Sequence, residues 1–181
     1  MRIISGKYKG RRFDPPKSFK ARPTTDFAKE NIFNVLNNSI DWEETIALDL
    51  FGGTGSISFE LVSRGCPRVV CVEKNFAHAS FIEKTKAELQ IQSELMLSKM
   101  DVFSYLAHCK EQFDFIFADP PYDLKHFEDV PKLVFEKELI KPGGIFILEH
   151  SKDYNFSNYP LFEDQRVYGS VNFSVFRNGS I

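Results

Sequence analysis

No apolar run in this sequence approaches the roughly 18 residues that a membrane span requires. Its 181 residues hold only three cysteines, Cys66, Cys71 and Cys109, none in a Cys-x-x-Cys pair. An odd, unpaired set argues against a disulfide framework or a zinc site and for a reducing compartment. Met1-Arg2-Ile3-Ile4-Ser5-Gly6-Lys7 lacks the apolar stretch of a secretory signal, so the expected location is cytoplasmic. His78, His108, His126 and His150 are scattered without metal-ligand spacing, so each is expected at the surface or in the core and no metal is expected. No serine or cysteine has a recognisable partner for nucleophilic catalysis. No internal repeat, low-complexity tract or linker divides the chain. What remains is the composition of a globular protein, 43% hydrophobic and 27% charged, long enough for a single domain with its own core. Most of the 19 phenylalanines are expected in that core.

The net charge of −2 is unevenly spread. Up to Glu30, nine basic residues face three acidic ones, leaving +6 there and −8 on the rest. A basic arm on an acidic body suits a protein that grips a polyanion locally. It equally suits a solvated terminus that keeps an edge strand from aggregating.

Arg2 to Phe13 reads as two short extended pieces turning near Ser5-Gly6-Lys7, and Pro15-Pro16 stops regular structure. Arg22-Pro23-Thr24-Thr25-Asp26 opens a helix capped by Thr24 or Thr25, with an apolar stripe of Phe27, Ile32, Phe33, Val35, Leu36 and Ile40. From Thr45 strands and helices alternate. Strands are expected at 45–50, Arg68–Val72, Leu95–Met100, Phe113–Ala118 and Gly144–Glu149. Helices are expected at Ser56–Arg64, from about Phe76 to Gln90, from Asp101 through Cys109, and across Phe127–Leu139. Such alternation implies right-handed βαβ units and a parallel sheet. Phe162–Tyr168 and Val171–Arg177, joined at Gly169-Ser170, read as an antiparallel hairpin at one sheet edge. Residues 1–40 form a basic N-terminal β-hairpin/helix extension packed on a core of 41–181, the whole a single domain.

Asp49, Glu73, Asp101 and Asp119 stand at or beside the ends of the first four strands, where open α/β sheets bind ligands. Any one could simply cap a helix. The loop Asp49-Leu50-Phe51-Gly52-Gly53-Thr54-Gly55 is no P-loop, because no Gly-Lys-Ser/Thr follows. It is no dinucleotide fingerprint either, since Ser58 takes the third glycine's place. Glycines beside an acid suit a cofactor with an ammonium group and no phosphate. Glu73 is placed to accept ribose hydroxyls, and Asp101 an adenine amine. Together these requirements describe S-adenosylmethionine. In Asp119-Pro120-Pro121-Tyr122, two prolines fix the backbone. The Asp119 carboxylate and Pro120 carbonyl can accept from one exocyclic amine, with Tyr122 stacking on its base. Two acceptors that draw the amine toward tetrahedral geometry favour attack on a methyl group. The plain alternative is a proline-rich turn with Tyr122 packed as core.

Asp119-Pro120-Pro121-Tyr122 resembles the amino-methyltransferase motif, and Leu48 to Gly55 the cofactor loop of class I methyltransferases. Arg2-Ile3-Ile4-Ser5-Gly6-Lys7-Tyr8-Lys9-Gly10-Arg11-Arg12, Arg22-Pro23-Thr24-Thr25-Asp26, Phe33-Asn34-Val35-Leu36 and Ser63-Arg64-Gly65 resemble the RsmD family over nearly the whole chain. These are bacterial enzymes that methylate guanine N2 in small-subunit (16S) ribosomal RNA. Gly52 stands where that family often has alanine. The resemblance implies an α/β, class I (Rossmann-like) fold with a seven-stranded, mostly parallel sheet. It implies S-adenosylmethionine held by Asp49, Leu50, Phe51, Gly52, Gly53, Gly55, Glu73, Lys74, Asp101 and Val102. Asp119, Pro120, Pro121 and Tyr122 are the expected catalytic set. RNA, presented in an assembled subunit or bound to protein, is expected on Arg2, Lys7, Lys9, Arg11, Arg12, Arg22, Thr24 and Thr25. A monomer is expected. An adenine-N6 methyltransferase would share the chemistry, but DNA recognition usually needs a further domain. A non-catalytic nucleic-acid-binding module is opposed by the intact Asp119–Tyr122 and Gly52–Gly55, and a nicotinamide oxidoreductase by the absent third glycine. Glu149-His150 ends a strand and could line the pocket, but a cap or solvent role is the expected one.

Overall fold

Apolar β-branched and aromatic runs too short for helices form the central strands, which are largely buried on both faces as a covered parallel sheet demands, whereas the two edge strands are partly exposed. A computed structural model describes residues 1–19 and 25–179. The strands are β1 (Ile46–Leu50), β2 (Arg68–Val72), β3 (Leu95–Ser98), β4 (Phe113–Ala118), β5 (Ile140–His150), β6 (Phe162–Tyr168) and β7 (Val171–Arg177). They form one seven-stranded sheet in the order β3-β2-β1-β4-β5-β7-β6. β1 to β5 are parallel, and β7 runs antiparallel to both β5 and β6. The order reverses between β1 and β4, the switch point at which such sheets open a crevice.

The helices are α1 (Asp26–Leu36), α2 (Ser56–Arg64), α3 (Phe76–Leu89), α4 (Val102–His108) and α5 (Asp129–Glu136). Strand periodicity divides the core between the two faces of the sheet. Ala47, Phe115, Phe117, Ile145 and Ile147 pack with α1 and α2, and Leu48, Ile116, Phe146 and Leu148 with α4 and α5. Among the described residues no helix is long and apolar enough to cross a membrane.

Three elements depart from the sequence reading. Residues 2–13 turn back on themselves but form no extended strands: one antiparallel bridge joins Arg2 and Arg12, flanked by the Ile3 amide to the Arg11 carbonyl and the Phe13 amide to the Met1 carbonyl, both at 3.0 Å. Their backbone also bonds α2. Ile4 and Ser5 amides donate to Glu60 Oε2 and Oε1 at 2.8 and 3.0 Å, and the Lys7 amide to the Ser63 carbonyl at 2.7 Å. Gly6 makes that approach possible, because a Cβ there would lie 1.8 Å from the Ser63 carbonyl oxygen. Second, Phe27 and Val35 are exposed, and the buried face of α1 is Ala28, Lys29, Ile32, Phe33 and Leu36. Lys29 replaces an apolar residue because Glu60 and Ser56 meet it from α2. Third, Pro142-Gly143-Gly144 does not end an element. β5 runs through it, and the register with β4 jumps from Phe113↔Ile140 to Phe115↔Ile145, the surplus residues forming a bulge.

Candidate active site

The four strand-end acids do converge, and Asp49, Glu73 and Asp101 also organise their own loops. Asp49 Oδ2 accepts from the Ser58 amide at 3.1 Å and the Ser58 hydroxyl at 2.6 Å, fastening the first turn of α2 to β1. Burial pushes the Asp49 carboxyl up to about 7 despite those two hydrogen bonds, and Glu73 adds to the rise. Glu73 accepts from the Gly53 amide and the Asn75 amide, both at 2.7 Å, so it clamps the glycine loop onto the end of β2. Asp101 caps α4 through the Phe103 amide at 2.9 Å and pairs with Lys74 at 3.1 Å. Partial burial pushes the Asp101 carboxyl up, but Lys74 and the Phe103 amide outweigh it and hold it below the ordinary carboxylate range. Asp119 follows β4 directly, and its amide reaches the Leu50 carbonyl at 3.5 Å.

Between these strand ends lies a cavity of about 600 Å³. Of the residues expected to hold a cofactor, Asp49, Phe51, Gly52, Gly53, Glu73, Lys74, Asp101 and Val102 line it. Asp119, Pro120, Pro121 and Tyr122 line its other side, with Tyr122 49% exposed at the rim rather than packed as core. Leu50 and Gly55 do not line it. Leu50 is fully buried in the core on the far face of the sheet. Gly55 works beneath the loop: its φ is +79°, and a Cβ there would lie 2.6 Å from the Phe59 ring. The glycine at position 52 also has a local cause, since a Cβ there would lie 2.3 Å from Cys71 Sγ.

The basic arm is elsewhere. Lys7, Lys9, Arg11 and Arg12 are exposed on the extension, and none lines the cavity. Arg2 pairs with Asp26 and Arg11 with Glu88, both at 3.3 Å, which offsets part of the arm's charge. Thr25 both caps α1, through the Ala28 amide at 3.2 Å, and lines the cavity. Arg22 and Thr24 lie outside the described residues.

Thr54, Ser56, Ile57, Asn75, His78, Met100 and Asp123, none of them expected in the site from the sequence, also line the cavity. His78, expected at the surface or in the core, stands 3.8 Å from Glu73 Oε1, and the Phe19 ring covers it at 4.4 Å between centroids. Its signal is Asn75, which caps α3 through the His78 amide at 3.1 Å and so fixes His78 in the first turn, facing β2. Glu149, expected as a cap or in solvent, instead lines the cavity and is only 4% exposed. Chemically, desolvated and partly satisfied carboxylates beside a glycine loop suit a cationic ligand bearing hydroxyl donors. A carboxylate before two prolines and an exposed tyrosine suits a planar base with an amine.

The family model described as Conserved hypothetical protein 95 matches residues 1–177. The chain is similar to the Ribosomal RNA small subunit methyltransferase D of Haemophilus influenzae, at 31% identity over 98% of this chain and 94% of that one. It is similar to the protein of the same name from Escherichia coli, at 25% identity over 98% and 89%. A solved structure of a hypothetical protein from Thermus thermophilus superposes with a TM-score of 0.84 at 26% identity, covering 100% of this chain and 99% of that one.

Proposed function

The chain belongs to the Conserved hypothetical protein 95 family, and from that membership and the site we propose an S-adenosylmethionine-dependent methyltransferase acting on the N2 amine of a guanine in small-subunit ribosomal RNA. The observation that carries this reading is the meeting of Asp49 and Glu73 with Asp119–Tyr122 in one cavity. The relatives named Ribosomal RNA small subunit methyltransferase D support the RNA class.

The residues present fit the cofactor. Asp49 is a buried carboxylate held up near 7, a charge that a cation in the cavity would compensate. Glu73 uses one bond per oxygen on its own loop, and a carboxylate has about four acceptor positions. When bound, S-adenosylmethionine supplies a methyl group on a sulfonium, a good leaving group. On the other side, the Asp119 carboxylate and Pro120 carbonyl accept from the amine and localise its lone pair for attack. Two prolines fix that carbonyl's direction before any base arrives, so little reorganisation is needed at the moment of reaction. Tyr122 offers a face for stacking the base outside its helix. As the N–C bond forms and the methyl–sulfur bond breaks to leave a neutral thioether, Asp119 Oδ would receive the surplus amine proton. The exposed Lys7, Lys9, Arg11 and Arg12 supply phosphate contacts that position the RNA without reading its sequence. We place the protein in the cytoplasm with that RNA.

Nucleoside mass spectrometry of ribosomal RNA from a strain lacking the gene tests this. The expected result is loss of N2-methylguanosine from the small-subunit RNA. Loss of N6-methyladenosine, or an unchanged nucleoside profile, would overturn it.

A further inference from the structure

Parallel register pairs Ala118 of β4 with Leu148 of β5. The next residues on the two strands, Asp119 and Glu149, therefore stand side by side at the carboxyl edge, roughly 4.8 Å apart in strand spacing. Alternation puts Glu149 on the face of Ile147 and Phe117, the same face as Asp49, and it lines the cavity with Asp119.

Resting on the guanine-N2 reading above, we propose that Glu149 is the residue that selects guanine, by accepting the N1–H beside the amine held at Asp119. Guanine presents N1–H and N2–H as neighbouring donors on its Watson–Crick edge, and two neighbouring carboxylates accept both. Adenine presents a lone pair at N1 beside its N6 amine, and that lone pair would face a carboxylate oxygen with no proton between them. The methyl-transfer chemistry at Asp119–Tyr122 serves either amine, so discrimination has to come from the group next to it. A site built to hydrogen-bond one donor rejects the analogue that lacks it far more strongly than shape alone can.

The test uses small subunits reconstituted with 16S RNA carrying guanine or 2-aminopurine at the methylated position. 2-Aminopurine keeps the exocyclic amine but has a lone pair in place of N1–H. Wild-type protein is expected to prefer guanine by about 100-fold or more in kcat/KM. Glu149→Gln, whose amide can donate to that lone pair while its oxygen can still accept N1–H, is expected to gain on 2-aminopurine, shrinking the ratio by about 100-fold. Glu149→Ala should lower both rates and erase the preference. Affinities for the two subunits without methyl donor should follow the same order. Equal rates on the two bases for the wild-type protein would overturn the proposal without any variant, as would an unchanged ratio in Glu149→Gln. Absence of methylation on guanine subunits by the wild-type protein would overturn the guanine-N2 reading and this inference with it.

Discussion

At the carboxyl edge of the sheet, charges sit at the ends of apolar strands that would hold together without them. In the N-terminal extension the buried charges are themselves the attachment. Glu60 is fully buried and accepts from the Ile4 and Ser5 amides and, at 2.9 Å, from Arg64 Nε. Lys29, also fully buried, donates to the Arg2 carbonyl at 2.7 Å and to Ser56 Oγ at 2.9 Å, with Glu60 at 3.6 Å. Burial lowers the Lys29 pKa, and Glu60 works against that fall. Ser56 opens α2 and lines the cavity, so one lysine ties the N-terminal extension to the end of the glycine loop. The two regions teach different lessons about charge. At the edge, ionised groups line the cavity and also fasten the loops that follow the strands. Under the extension they serve the fold, and neither can be lost alone.

The largest effect is therefore expected beneath the extension. Glu60→Gln should strand the Lys29 ammonium and cost about 3–5 kcal/mol in chemical denaturation. The double variant Glu60→Leu/Lys29→Met should recover much of that in the global transition. It should still loosen the extension, because Ile4 and Ser5 lose their acceptor, and amide exchange at those two residues checks this. At the edge, Asp119→Asn should leave the melting curve nearly unchanged and lower kcat on the order of 10²–10³-fold, read by single-turnover kinetics. Glu73→Ala should weaken S-adenosylmethionine binding by about 1–3 kcal/mol in calorimetry, with loss of order in the glycine loop contributing.

A smaller effect concerns pH. The Asp49 carboxyl titrates at about 7 in the fold against 3.8 ordinarily, so between those values the folded protein holds a proton that the unfolded chain releases. Stability of the ligand-free protein should fall as pH rises from about 4 to about 7. Affinity for the cationic cofactor should rise over the upper part of that range, at most about tenfold per pH unit, and level off above it. The titrating neighbours facing Asp49 are Glu73, which raises it, and the Cys71 thiol, itself pushed well up by burial. Asp49→Asn should flatten both profiles in calorimetry run from pH 5.5 to 8.5. The smallest effect per residue belongs to the arm. Charge reversal at Lys9, Arg11 and Arg12 should lower the salt slope of RNA binding by about 0.7–0.9 per lost phosphate contact while cofactor affinity stays the same.

The same contrast explains what is legible in the sequence. Strand ends, glycine loop and the Asp119–Tyr122 segment are local patterns, so the sheet edge can be read residue by residue. Asp101 cannot be assigned to ligand rather than cap from sequence, and in the structure it is indeed a cap that also reaches the cavity. The extension turns back as the sequence suggests, but with a single bridge rather than strands, because much of its order is non-local. Ile3, Tyr8 and Phe13 have strand character, but the segment's backbone partners include Glu60 and Ser63, far along the chain. Lys29 shows the limit most clearly. A lysine on an amphipathic helix ordinarily points to water, and only the meeting of α1 with α2 turns it inward.

The central claim is that the sheet-edge cavity transfers a methyl group to a guanine amine and that Asp119 acts in that transfer. Its most direct test is the purified protein with S-adenosylmethionine and small subunits from a strain lacking the gene, wild type and Asp119→Asn side by side, with nucleosides read by mass. N2-methylguanosine formed by the wild type, and formed on the order of 10²–10³-fold more slowly by Asp119→Asn at equal cofactor saturation, is the predicted result. Equal rates in the two proteins, or a different methylated nucleoside, would contradict it.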